Sequence, residues 1–236
     1  HGIQVTFGIM TDGSAGHHSM LANDLIRRRQ AEAMEAATRL GARVEWLGYP
    51  DGLLVPSLEA RLDVIRLIRR VKADLVLTHR PADYHPDHRY TGQLVQDAAY
   101  MVTVPRIASD SPPLTTNPIF GYLSDRFQKT SLFVPDVVVG IDSEMDRVAD
   151  ALDAHESQFY EWLPHNMGIL GQVPTDPAER KRQLRDWFFG HYCLKSSDLP
   201  KGKSPQGSTY IEAFEISEYG SPLSPDARRQ LFPFLA

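Results

Sequence analysis

Short apolar runs alternate with amphipathic stretches through the first two-thirds of the chain, and this alternation limits the fold more than any other feature. "IQVTFGIMT" (3–11), "RVEWLGY" (43–49) and "ADLVLTH" (73–79) have strand length and β-branched or aromatic content. Between them, residues 23–40 repeat apolar positions near a 3.6 period and stop at Gly41. Residues 58–71 do the same behind a Ser57 N-cap. Residues 86–102 form a third predicted helix, with Pro86 at its first position. Further strands are expected at 119–123, 136–142 and 209–216, and helices at 144–162 and 177–188. A helical turn is expected behind Ser224 and Pro225. The proline-rich stretch 103–117 is long for a simple connector and is expected to border a site. The pattern predicts an α/β fold: a Rossmann-like, doubly wound, mostly parallel sheet in three layers. Residues 1–236 are read as one domain, with a flexible segment at 195–208 and 195–236 as a C-terminal extension.

Composition removes several function classes. The net charge of −5 and the absence of a basic block argue against a nucleic-acid partner. "RRR" (27–29) shares its helix with Asp24, Glu32 and Glu35, and "RLIRR" (66–70) reads as a solvated helix face. No apolar run approaches a membrane span. The lone Cys193 cannot form an internal disulfide and fits a reducing, cytoplasmic setting, with secretion as the alternative. Oligomeric state stays open.

"ADYHPDH" (82–88) holds the densest chemistry. Two histidines, His85 and His88, follow a predicted parallel strand where a helix begins, which is where open α/β sheets bind ligands. Neutral imidazole is a common metal ligand, and a neighbouring carboxylate can fix its tautomer. By themselves these residues mark a metal or acid–base site.

Taken in order, "TDGSAGHH", "RRRQAEAMEAATRLGA", "LGYPDG", "DLVLTHRPADYHPDHR" and "DALDAHESQF" resemble the PIG-L-type, LmbE-like zinc N-deacetylases over roughly residues 3–160. "YIEAFE" (210–215) is a weaker echo. The resemblance implies a zinc-dependent hydrolase that removes an acetyl group from an N-acetylated amino sugar or its conjugate. It implies that His88 is a zinc ligand, that His85 donates to the oxyanion or the leaving amine, and that Asp87 orients His85. It places Arg29, Asp51 and Asp83 at the substrate. The family's H-P-D-D-E type loop, which supplies the other ligands and the carboxylate base, is absent, and Val148 stands where lysine is frequent. The expectation is that the loop belongs to a central strand–helix unit ahead of His1. The strands at 4–11 and 74–79 should then lie either side of a slot about 10 Å wide, lined by Val5, Phe7, Val76 and Leu77. With His88 as the one protein ligand, zinc binding by this chain should be weak.

The chemistry follows from the residue types. Zinc polarises an amide carbonyl and brings a bound water toward a pKa of about 7, and an imidazolium can protonate the departing nitrogen. A rival reading is a non-catalytic carbohydrate-binding domain that keeps the fold without its metal centre. A phosphodiesterase would need bridging acids that the chain does not offer. Of the remaining histidines, His155 on an apolar stripe is read as packing, His17 and His18 in a glycine-bounded loop fit the surface and a substrate-facing position equally, and His79, His165 and His191 carry no role. Arg29 and Glu32 have the spacing of a plain helix ion pair.

Overall fold

The computed structural model describes residues 2–129, 131–200 and 203–235. The elements run β1 (Thr6–Thr11), α1 (Ala22–Leu40), β2 (Arg43–Tyr49), α2 (Leu58–Val71), β3 (Leu75–Thr78), α3 (Pro86–Met101), β4 (Ile119–Leu123) and β5 (Val137–Gly140). Then come α4 (Met145–Asp153), α5 (Leu163–Asn166), α6 (Pro177–His191), β6 (Leu194–Lys195), β7 (Tyr210–Gly220) and α7 (Pro225–Leu231). The chain is α/β, as its alternation predicts. Among the described residues no helix is long and apolar enough to cross a membrane.

Caps account for the early helix ends. Gly41 closes α1 at φ 69°, in the left-handed region, and its N–H reaches the Ala37 and Thr38 carbonyls. The Ser57 hydroxyl accepts from the Ala60 N–H to start α2. Pro86 opens α3, where its missing N–H costs nothing.

The strands form two separate sheets. β1 pairs with β2 in parallel, from Thr6 opposite Arg43. A second sheet runs β3-β4-β7-β5, with β6 also on β7. β3 and β4 are parallel, while β7 is antiparallel to β4, β5 and β6. The parallel character therefore belongs to the first half, and the second half adds an antiparallel strand. β1 and β3 share no ladder, as expected, and Val5 and Phe7 beside the open β1 edge are 46% and 41% exposed. Residues 195–236, read from sequence as an extension, supply the strand between β4 and β5. Lys201 and Gly202, within the stretch read as flexible, lie outside the described residues.

What joins the halves is the main core, in which Val64, Ile65 and Ile68 of α2 meet Leu94, Val95 and Ala98 of α3 and Met10 of β1. Arg69 corrects the reading of "RLIRR" as a solvated face. It is 3% exposed and donates to the carbonyls of Met101, Val102, Val104, Ile107, Ala108 and Ser111. One guanidinium thus satisfies the turns of the proline-rich loop in place of a carboxylate partner.

The helix expected over 144–162 is broken. After α4, residues Ser157–Trp162 wind as a wider π-helical turn. The cause lies far away in sequence: buried Glu32 of α1 accepts from the Ser157 N–H at 2.9 Å and from its hydroxyl at 2.6 Å. A side chain inserted into the helical ladder displaces the regular bonding. His155 sits half-buried at this break. Burial lowers its pKa from the usual 6.5, with Glu32 opposing and Arg29 adding to the shift.

Two outcomes follow. Arg69→Met should lose about 3 kcal/mol by leaving several buried carbonyls without donors, read as a fall in the urea midpoint at constant m. Above pH 6.5 His155 is neutral folded or unfolded; below it the unfolded chain takes the proton first, so stability should fall as pH drops from 7.5 to 5.5. His155→Gln should flatten that part of the dependence, measured as urea midpoints at both pH values.

Candidate metal centre and its rim

The carboxyl ends of β1, β2 and β3 meet at one rim through hydrogen bonds. The Asp12 N–H donates to the Tyr49 carbonyl at 2.8 Å. The Asp12 carboxylate accepts from the backbone N–H groups of Ser14 and Asp51. Asp51 in turn accepts from the Ala15 N–H at 3.2 Å. The Asp87 carboxylate, buried at the start of α3, accepts from Gly52 at 2.7 Å and from Leu54 at 3.2 Å. These bonds bring Asp12, Asp51 and the His85–Asp87 loop to one rim although their strands lie in two sheets.

At that rim His79, Asp83 and His88 each offer one ligand atom, all within 4.8 Å of one another. The His79 and His88 rings stack at 4.3 Å with 7° between their planes. Asp83 Oδ1 and His88 Nδ1 lie 3.1 Å apart, so a cation shared by the two would take the place of the ring proton between them. Burial pulls the His79 pKa down, with the His88 imidazole adding to the shift, so His79 keeps its lone pair available. Two imidazoles and a carboxylate are a donor set found at catalytic metal sites, where three protein ligands leave a position open. The set suits zinc and other borderline divalent ions alike.

His85 lies alongside, its ring 4.9 Å from that of His88. Its Nδ1 accepts from the Asp87 backbone N–H at 3.2 Å, and its own N–H donates to Asp83 Oδ1 at 2.9 Å. A neutral His85 with Nδ1 accepting must carry its proton on Nε2. The backbone of Asp87 orients this ring, while its carboxylate, expected from sequence to do so, spans to the Gly52–Leu54 loop.

Arg29 does not pair with Glu32 in the way its spacing suggests. Arg28 does, at 3.1 Å, and also grips Glu161 with both terminal nitrogens. Arg29 turns the other way and donates to the Gly16 carbonyl at 2.8 Å, leaving a buried Nε without a partner. Gly13 and Gly16 fold closely over it: a Cβ on Gly16 would sit 3.4 Å from Arg29 Nη2 and 3.8 Å from Asp51 Oδ2. His17, for which surface and substrate-facing positions fitted equally from sequence, donates from Nε2 to Glu161 at 2.8 Å and accepts at Nδ1 from Ser19 and Met20. His79 was missed as a site residue; its signal is its position directly after β3, the strand whose loop carries the other two ligands.

The family model described as GlcNAc-PI de-N-acetylase, PIG-L, matches residues 1–99. That match covers fewer than half of the chain's 236 residues. Over 180 residues, or 70% of the chain, the sequence is 27% identical to a diacetylchitobiose deacetylase of Thermococcus kodakarensis, and the match spans 64% of that relative's length. The fold is similar to that of N,N'-diacetylchitobiose deacetylase from Pyrococcus horikoshii in complex with its inhibitor MPG. There the TM-score is 0.66 and the identity 25%, covering 92% of this chain and 73% of that one. GalB, a 4-carboxy-2-hydroxymuconate hydratase from Pseudomonas putida, has a TM-score of 0.64 at 19% identity, covering 94% of this chain and 88% of that one. That likeness concerns the fold alone and shows that the scaffold hosts different chemistries.

Gly92 holds α3 against the metal-site strand: a Cβ there would lie 2.5 Å from the His79 carbonyl oxygen. Gly92→Ala should cost about 1–3 kcal/mol, whereas Gly190→Ala, where a Cβ meets open space in α6, should gain about 0.5–1 kcal/mol. Urea denaturation of both variants checks the contrast.

Proposed function

We propose that the protein is a metal-dependent N-deacetylase acting on an N-acetylated amino sugar or its conjugate. The observation that carries this reading is the His79–Asp83–His88 group at the rim, with His85 beside it. The names of the PIG-L family and of the two diacetylchitobiose deacetylases support the same class. His79, Asp83 and His88 would hold the cation, and zinc is the ion proposed; bound there, it would supply Lewis-acid polarisation of the amide carbonyl. In this reading Asp83 serves the centre rather than the sugar.

The chain's own groups have these roles. His85 presents Nε2–H as a hydrogen-bond donor to the developing oxyanion, and the Asp87 N–H at Nδ1 keeps the neutral ring in that tautomer. Asp87 acts as a positioning residue, because its carboxylate ties the His85 loop to the Gly52–Leu54 loop. Arg29, whose buried Nε is unpaired, and Asp51 lie against Gly16 and would receive the acetamido group and sugar hydroxyls.

Titration calorimetry should give one zinc site per chain, lost in both His79→Ala and His88→Ala. His85→Ala should keep the zinc stoichiometry while acetate release from an N-acetylated sugar falls roughly 10²–10³-fold, the scale of one oxyanion donor. Zinc affinity unchanged in His88→Ala would remove the site from the rim.

A further inference from the structure

We propose that Tyr84 sets substrate specificity, as the stacking platform of a subsite for a second pyranose ring attached to the acetamido sugar. This rests on the deacetylase reading. Beside the metal group opens a cavity of about 1000 Å³, whose wall includes Asp83, Tyr84, Gln96, Phe127, Gln128 and Lys129. That is the upper end of the roughly 300–1,000 Å³ usual for ligand sites, more than an acetamido monosaccharide fills.

Tyr84 stands at the junction. One side of its ring makes edge contacts with His85 and His88, at 5.8 Å and 5.7 Å between centroids. Phe127 lies tilted at 6.2 Å, and Tyr84 is still 72% exposed, although large aromatics are usually covered. The ring is held while its outer surface is left open. Arg89 donates to the carbonyls of Asp83 and Tyr84, at 2.9 Å each, which fixes the backbone beneath it. A pyranose presents an apolar C–H face and a rim of hydroxyls. Aromatic surface suits the first, and the amides of Gln96 and Gln128 with the Lys129 ammonium suit the second.

The test uses N-acetylglucosamine and its β-1,4-linked disaccharide as probes, with binding measured by calorimetry and acetate release measured separately. The wild-type protein should bind the disaccharide more tightly than the monosaccharide. In Tyr84→Ala the ratio of the two affinities should fall about 3- to 10-fold, the scale of an aromatic contact, and Tyr84→Phe should restore it. A ratio unchanged in Tyr84→Ala, or no disaccharide preference in the wild type, overturns the subsite. Acetate release without Tyr84-dependent selectivity would leave the deacetylase reading standing and sink this one. Tyr84-dependent disaccharide binding without acetate release would do the reverse.

Discussion

The carboxylate of Asp87 is the contact on which the site depends. The two sheets share no ladder, so no run of backbone hydrogen bonds sets the β1–β2 loops against the β3 loop. Asp87 makes the crossing: rooted in the first turn of α3, it takes the Gly52 and Leu54 N–H groups of the other sheet's loop. A buried carboxylate is costly unless its oxygens are bonded. Here each oxygen has a backbone donor, and the start of a helix favours the negative charge. The same residue offers its N–H to His85. One side chain and one amide therefore set the distance between the loop that would hold the sugar and the loop that would hold the metal.

The far wall of the rim is held from the second half of the chain. Glu161, in the π-helical turn, takes both Arg28 of α1 and His17 of the loop after β1. Those partners lower its pKa, Arg28 most and then His17 against burial, so the carboxylate stays ionised and the anchor holds. The His18 ring continues outward, stacked between His17 and His165 at 4.6 Å and 3.9 Å. The Glu32–Ser157 contact that breaks the helix also aims Glu161 at this loop, four residues further on. The irregular turn and the ordered loop have one cause.

Features encoded locally could be read from the sequence, and features made by distant partners could not. Gly41, Ser57 and Pro86 mark helix ends by their own chemistry, and the structure uses each of them so. The run from Leu75 to His88 was legible as strand, turn and helix because its period changes there. Arg69 was misread because "RLIRR" carries no sign that six carbonyls at the end of α3 and in the loop after it wait for it. The break at Ser157 was invisible because Glu32 lies 125 residues away. His79 was passed over because a histidine after an apolar run has no pattern of its own; its meaning comes from a stacked His88 nine residues later. The central place of β7 was hidden because antiparallel partners from distant segments leave no spacing to count.

The loop between β3 and α3 explains how an exposed segment can carry a metal site and still be ordered before any ligand arrives. Arg80, 4% exposed, binds Asp125 through two 2.7 Å bonds and donates as well to the Phe127 and Ser131 carbonyls. Arg89 closes the other end on the Asp83 and Tyr84 carbonyls. Asp83 then gathers the His85 N–H and the His88 ring from inside. The flanking arginines are rigid forks rather than single point contacts, so the five residues between Arg80 and Pro86 have little freedom left to lose. Groups already held at their working spacing spend less binding energy on ordering. The strong bonds thus lie one step behind the candidate site, and the His85 Nε2–H is left uncommitted.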